Sequence, residues 1–531
     1  MEAGLVADRA PTLEHDAAEQ IERAAPAAPI PPAAPNPPAD TAAGAAAARP
    51  RPARAPFRRD DFRAAGRRDR PARRDRPVPG QLPLPLAPLP ALPLETNWKI
   101  QPRLWGHAYH PMCSYLASFP AALAQAFIAR YTRPGDVVLD PFSGRGTTPL
   151  QACAEGRIGV GNDLNPLAHV LTAAKVEPPT GRELEARLAG LRIDWSLEAS
   201  GWLGLAGRVT AGAPDSAPAL VPAAGSGDSP GDGSEAVPVE VALAFHPGTL
   251  AQVLFARARL RLDDPADRFL AAALVGILHG KRPGFLSELM PNTFSMAPRY
   301  ARDYAARTSF AAPDRDLFVL LATKLRRLAR DGRPGTRGIA LLGDARDAGL
   351  RVSAALGERA LPDRARLVLT SPPYLRVLKY GYYNWLRTWF LGFSAAEIDA
   401  TLDDAHRREP YLVFLREVLA GLRPALADDA VVALVLGDVE AERGRPAADG
   451  MTIGLADEVW QGAARPEGYL LAGVVGDEVA ASRKMTKLWG DEAGRATTLD
   501  RILVLAPSEA GRRRAIAGAA LPVDWSWPPR R

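Results

Sequence analysis

A chain of 531 residues is too long for one ordinary domain and predicts about two or three units. Its apolar fraction of 47% suffices for a sizeable core. No apolar run reaches the roughly 18 residues of a membrane span, and the start does not read as a basic-then-apolar signal peptide. Cys113 and Cys153 are the two cysteines and form no Cys-x-x-Cys pair, so neither a disulfide framework nor a zinc site is indicated, and a cytoplasmic protein fits best. The net charge of +6 is not evidence of a basic folded face: Arg49 to Arg76 hold twelve Arg and four Asp, a local +8, which leaves about −2 for the rest.

Residues 1–95 are rich in Ala, Pro and Arg and include a Pro-Leu run, a composition that cannot bury enough apolar surface to offset chain entropy. They are read as a disordered tail, either a solvated linker or a loose hold on phosphates. The texture changes at Trp98. A helical stretch around residues 119–131 leads into Val-Val-Leu-Asp, a buried strand ending at Asp140, then a glycine turn, a helix and a second strand ending at Asp163. This is the outline of a nucleotide-binding α/β half-domain. Residues 200–240, rich in Gly, Ser, Ala and Pro, predict a flexible insert, and 245–330 predict helices. Strand-like runs return and end at Asp344, at Thr370 and at Asp438, and two more lie near the end of the chain. The units expected are a tail over 1–95, the first part of an α/β domain over 96–180 and an insertion over 181–335. The second part of the domain follows over 336–510, and a C-terminal tail over 511–531.

Two segments carry chemistry. In Asp140-Pro141-Phe142-Ser143-Gly144-Arg145-Gly146-Thr147-Thr148 the two glycines allow a sharp turn and close approach of a ligand. Alone, such a turn is equally a plain strand-to-helix connection. A dinucleotide site would want a third glycine where Thr147 and Thr148 follow, and a carboxylate at Asp140 suits a cationic ligand better than a pyrophosphate. Asp163 is placed to accept both ribose hydroxyls of an adenosyl group, and Asp344 to accept an adenine amine. A single strand-end acid is more often mere surface; three beside a glycine turn make a site.

The second segment is Thr370-Ser371-Pro372-Pro373-Tyr374. Its prolines fix an extended backbone and donate no hydrogen bonds. Ser371 Oγ and the Pro372 carbonyl could accept the two N–H groups of a base amine and draw its lone pair out of conjugation. Tyr374 could stack on the base, worth roughly 1–3 kcal/mol. The plainer reading is a proline turn with a packed tyrosine.

Together these segments resemble the amino-group DNA methyltransferases, which modify cytosine N4 or adenine N6. The first resembles that family's cofactor loop, with Arg145 where Ser is usual; the second resembles its catalytic motif in the Ser-Pro-Pro-Tyr form favoured by cytosine-N4 enzymes. The late segment around 484–504 resembles the family's terminal hairpin. The resemblance implies an α/β, Rossmann-like S-adenosylmethionine-dependent methyltransferase sheet of about seven strands, one of them antiparallel, with a helical insertion. It implies S-adenosylmethionine as cofactor, held by Asp140, Pro141, Phe142, Ser143, Gly144, Gly146, Thr147, Thr148, Asp163 and Asp344. Catalysis falls to Ser371, Pro372, Pro373 and Tyr374. DNA with the target base flipped out is the partner, with a cognate restriction endonuclease as a further one; neither a metal nor a membrane is implied. One departure concerns the subclass: the cofactor loop precedes the catalytic motif, the reverse of many cytosine-N4 enzymes.

Two segments are candidates for target recognition, Lys281-Arg282-Pro283-Gly284 with residues 290–300, and the aromatic run Tyr380 to Phe393. Aromatics this dense are more often core than base-stacking platform. Arg376 and Lys379 could meet phosphate or remain solvated. His107 and His110 form no metal cluster, and His279 is read as structural. The alternatives are an RNA-base or protein-amide methyltransferase on the same fold, favoured by Asn or Asp at position 371, a non-catalytic binding protein, and a dehydrogenase, which leaves 370–374 without a role.

Overall fold

The computed structural model describes residues 89–116, 118–211, 219–373, 380–401, 407–437, 454–478 and 499–527. Tyr374, Arg376, Lys379, Asp438, residues 484–490 and residues 1–88 of the expected tail lie outside them.

Seven strands form one sheet: β1 (Val137–Asp140), β2 (Ile158–Asp163), β3 (Ile339–Leu342), β4 (Ala365–Thr370), β5 (Leu426–Gly437), β6 (Leu470–Glu478) and β7 (Leu499–Ala506). Their spatial order is β3-β2-β1-β4-β5-β7-β6. β1 pairs in parallel with β2 and with β4, β2 with β3, and β4 with β5. β7 is antiparallel to both β5 and β6, and is the one reversed strand, next to the edge. This is the expected Rossmann-like arrangement.

The central strands are continuous apolar runs because helices cover both faces, as parallel sheets require. Val137 and Leu139 of β1 point into a core shared with Val352, Tyr411, Leu415 and Val418. Val138, between them, points into the opposite core with Leu123, Phe127, Leu367 and Leu369. The period-two alternation thus serves two cores. Helix α1 (Ala121–Tyr131) lies on the second face, and helix Glu509–Ala519 packs beside it: Tyr131 Oη donates to the Ala515 carbonyl at 3.0 Å. The stretch read as a C-terminal tail therefore begins inside the fold.

The chain order reverses between β1 and β4, where β2 and β3 lie to one side and β5 to the other. A crevice at the strands' C-terminal ends opens at such a switch point. It is flanked by the loop after β1 and the segment after β4, the two motifs singled out in the sequence.

Between β2 and β3 sits the insertion, with a core of its own that includes Trp202, Phe255, Phe269 and Leu274 and closes onto Leu167 and Leu171 of helix α3 (Pro166–Val176). Its start differs from expectation. Residues Gly181–Ala211 form one long helix rather than the beginning of a flexible piece. Poor helix formers such as Gly201, Gly204 and Gly207 lie in it, and the burial of Leu191, Trp202, Leu205 and Ala206 outweighs their propensity. A small hairpin, Leu220–Val221 against Glu235–Ala236, follows. No helix among the described residues is long and apolar enough to cross a membrane.

Candidate active site

The loop after β1 is shaped by its glycines. Gly144 has φ +49° and Gly146 φ +75°, both in the left-handed region that disfavours a side chain. The two differ in surroundings. A Cβ on Gly146 would lie 2.8 Å from Thr172 Oγ1 and 3.1 Å from Thr172 Cα, so this glycine lets the loop press onto α3. A Cβ on Gly144 would meet nothing nearer than the Tyr115 ring at 3.6 Å. Gly144 thus packs against the Tyr115 ring at ordinary contact distance, with the room that Gly146 lacks. Helix α2 (Thr147–Ala154) starts directly after the turn.

Several expected cofactor residues have side chains turned into the fold. Ser143 Oγ pairs with Thr172 Oγ1 at 3.1 Å, and Thr148 Oγ donates to the Leu369 carbonyl at 3.1 Å. Thr147 Oγ1 accepts from Arg145 Nε at 3.2 Å. Phe142 faces Phe414 at 5.8 Å between ring centroids, and the Arg346 guanidinium lies 5.2 Å from the Phe414 ring.

Asp140 connects the two motifs. Its Oδ1 accepts from Thr370 Oγ1 at 2.6 Å and from the Phe142 N–H at 3.1 Å. Thr370 is the last residue of β4, so this bond places Ser371 and the buried Pro372 across the crevice from the glycine turn. Pro373 is half-buried. Asp140 is 2% exposed, and burial pushes its carboxyl up to about 7 against the pull of its hydrogen bonds.

Asp163, the last residue of β2, also reaches the loop. Its Oδ2 accepts from the Gly144 N–H at 2.8 Å and its Oδ1 from the Asn165 N–H at 2.9 Å; burial raises its carboxyl to about 6. Each oxygen retains a lone pair. Asp344 lies one strand further out: the Gly343 N–H donates to the Asp163 carbonyl at 3.0 Å, and Asp344 itself caps the Arg346 N–H at 2.9 Å and stands 3.4 Å from the Arg346 guanidinium. The three strand-end acids therefore sit on successive strand ends around the turn.

Three further residues were not legible in the sequence. Tyr115 packs against Gly144, its Oη accepts from Asn165 Nδ2 at 3.1 Å, and its ring stacks on Tyr380 at 6.0 Å and 16°. Asn165 caps α3 through the Leu167 N–H. Lys175, fully buried in α3, donates to the Arg145 carbonyl at 2.5 Å and holds the loop from beneath. Burial pushes that ammonium well below its usual range. Only a lysine in a mostly apolar helix could have signalled it. Arg145 reaches the other way, its Nη2 donating to the Phe119 carbonyl at 3.4 Å, and so ties the turn to residues 115–119.

Of the aromatic run, Trp385, Leu386 and Phe390 are core, whereas Tyr380 and Tyr383 are half-buried. His279 is buried, with Nδ1 2.7 Å from the Pro291 carbonyl, which supports the structural reading. His110 Nε2 lies 2.9 Å from Gln151 Oε1, away from the carboxylates of the crevice.

The site thus offers a glycine turn, two carboxylates suited to a cation, and a buried acceptor, Asn162 Oδ1, without a partner among the described residues. An adenosyl sulfonium fits these features; a pyrophosphate would meet two acids.

Residues 93–173 match the DNA methylase family. The matched stretch contains the glycine turn, Asp140, Asp163 and Tyr115, and stops before β4. Over 53 residues the chain is 45% identical to type II methyltransferase M.Cfr9I of Citrobacter freundii, covering 10% of this chain and 18% of that one. It is 41% identical over 64 residues to type II methyltransferase M.XycI of Xanthomonas campestris pv. cyanopsidis, covering 12% and 21%. It is 32% identical over 71 residues to type II methyltransferase M.MjaII of Methanocaldococcus jannaschii, covering 13% of each. The chain therefore spans at most about a fifth of these relatives' lengths. Among solved structures, TrmN from Thermus thermophilus superposes with TM-score 0.25 at 13% identity, over 75% of this chain and 52% of that one. A likeness that slight adds nothing to the strand order, on which the fold assignment rests.

Proposed function

We propose that this chain transfers a methyl group from S-adenosylmethionine to an exocyclic base amine of DNA, with cytosine N4 as the acceptor that Ser371 favours. The observation that carries the reading is the Thr370–Asp140 hydrogen bond, which sets the proline segment against the glycine turn. Methyl transfer needs donor and acceptor held in line, and most of its catalysis is positioning.

The cofactor, when bound, supplies an electrophilic methyl on a sulfonium. The chain's own residues do the rest. Gly144 and Tyr115 would hold the cofactor, Asp163 would use its remaining lone pairs for ribose hydroxyls, and Asp344 and Phe142 would flank the adenine. Ser371 Oγ and the Pro372 carbonyl accept the two amine N–H groups, which localises the nitrogen lone pair toward the methyl. Tyr374 stacks on the base. Attack by the nitrogen would form the carbon–nitrogen bond as the carbon–sulfur bond breaks to leave a neutral thioether, and the methylated amine would then release its proton to solvent, without a covalent enzyme intermediate. A duplex substrate must first flip its base out, at a cost of a few kcal/mol.

Adenine N6 is the second reading, favoured by the motif order in which residues 140–148 precede 371–374. A cognate restriction endonuclease is the partner that the type II relatives suggest. Nucleoside mass spectrometry of DNA from cells expressing the chain decides the base. N4-methylcytosine supports the leading reading, N6-methyladenine the second, and neither in an expressing strain overturns both.

A further inference from the structure

The insertion carries a cluster of cations that its own acids leave unanswered. Arg187, Arg257, Arg259, Arg261, Arg302 and Arg315 of this region each pair with a carboxylate. Lys281, Arg282, Arg299 and Arg307 make no ion pair among the described residues, and all four are exposed. Two of them flank one ring: Lys281 Nζ lies 4.7 Å and the Arg307 guanidinium 5.9 Å from the centre of Tyr304. Tyr300, 51% exposed, stacks on the same ring at 6.4 Å and 24°, with Arg299 beside it in sequence. Their helix, Pro298–Arg307, fully buries only Ala301 and Ala305, with Tyr304 packed partly against the insertion's core. Asp303 is its one acid.

This face is anchored beside the candidate active site. The Ser295 N–H donates to the Tyr383 carbonyl at 2.6 Å, Trp385 Nε1 to the Met296 carbonyl at 2.6 Å, and Arg387 Nη2 to the Asn292 carbonyl at 2.5 Å. Asn292 Nδ2 reaches Ser114 Oγ at 3.3 Å, next to Tyr115. The loop that leads into the cationic helix is therefore fixed to the segment that follows Ser371-Pro372-Pro373.

We infer that Lys281, Arg282, Arg299 and Arg307, with Tyr300 and Tyr304, form the surface that holds duplex DNA phosphates flanking the target base. The inference rests on the reading of DNA as substrate. Duplex DNA presents a charge about every 1.7 Å along its axis, and exposed cations unpaired within the protein gain most from it. Cations at this surface position the duplex without reading sequence.

The test uses the full chain and fluorescence anisotropy with a labelled duplex between 50 and 200 mM salt. The wild type is compared with a variant combining Lys281→Ala, Arg282→Ala, Arg299→Ala and Arg307→Ala; the N-terminal arginines are common to both. If each cation meets one phosphate, the wild type loses about 100-fold more affinity than the variant across this range, from a slope of about 0.9 per phosphate. Cofactor affinity and melting temperature stay at the wild-type values. Equal affinity and equal salt slope in the two proteins, with wild-type DNA methylation intact, overturn this surface and leave the DNA reading standing. A wild type that binds and methylates no duplex overturns the DNA reading itself. A slope difference seen with RNA and not with duplex DNA overturns the assignment of the partner.

Discussion

The two glycines of the turn should fail in different ways when each is replaced by alanine. At Gly146 the left-handed φ of +75° costs a non-glycine residue about 1–2 kcal/mol. The new Cβ would also stand 2.8 Å from Thr172 Oγ1 and 3.1 Å from the Thr172 backbone, and overpacking of this kind adds about 1–3 kcal/mol. Gly146→Ala is therefore expected to lose about 2–5 kcal/mol of stability in urea denaturation. Gly144→Ala carries the conformational cost alone, about 1–2 kcal/mol, because its Cβ meets only the Tyr115 ring at an ordinary 3.6 Å. That methyl lies between the turn and Tyr115, the two groups proposed to hold the cofactor, so calorimetry should show S-adenosylmethionine binding at least tenfold weaker in a protein that remains folded. Wild-type stability in Gly146→Ala would refute the close approach to α3. Wild-type cofactor affinity in Gly144→Ala would refute the assignment of the ligand face.

Cofactor affinity should depend on pH through the two raised carboxyls, Asp140 at about 7 and Asp163 at about 6. A cationic ligand favours their ionised forms, so affinity is expected to rise from pH 5 to pH 8 and to level off above about 7, with proton release at pH 6 visible in buffers of different ionisation heat; a flat profile contradicts the assignment. In the free protein the same shifts act on folding with the opposite benefit. Between about pH 4 and 7 the native state holds protons that the unfolded chain has released, so this contribution to stability is full at low pH and lost as pH rises toward 7. Ser371→Ala should keep cofactor affinity within about twofold and lower transfer by about 100-fold or more; wild-type turnover would remove Ser371 from the mechanism. Arg387, 1% exposed, donates to the Val275 and Asn292 carbonyls and to Asn384 Oδ1, and Arg387→Met removes these donors, at an expected cost of about 2–5 kcal/mol in denaturant. A loss under 1 kcal/mol would show that these bonds carry no weight.

The sheet was legible because each parallel strand is a short apolar run closed by an acid or a turn: Val137–Asp140, Ile158–Asp163 and Ala365–Thr370 all announce themselves this way. Asp140 and Asp163 were legible as strand-end carboxylates, and their placement beside the turn follows from the parallel register of Asp140 with Gly161. What Asp140 bonds was not legible, since Thr370 is 230 residues away in sequence. Tyr115 was missed for the same reason: its partners Gly144, Asn165 and Tyr380 come from three separate segments. The last part of helix Gly181–Ala211, residues 200–211, was read as the start of a flexible insert because its glycines argue for a linker, and only tertiary burial of Trp202 against Phe255, with ring centroids 5.9 Å apart, overrides them. The paired and unpaired arginines of the insertion read alike in sequence, because pairing is decided across the fold.

The most direct test of the central claim is transfer by the purified chain. Methyl-labelled S-adenosylmethionine is incubated with unmethylated DNA, the DNA is digested to nucleosides, and the labelled product is identified, with Ser371→Ala in parallel. Label in N4-methylcytosine from the wild type, and at least about 100-fold less from the variant, is the predicted result. Cofactor binding with no label in either exocyclic amine would contradict the account.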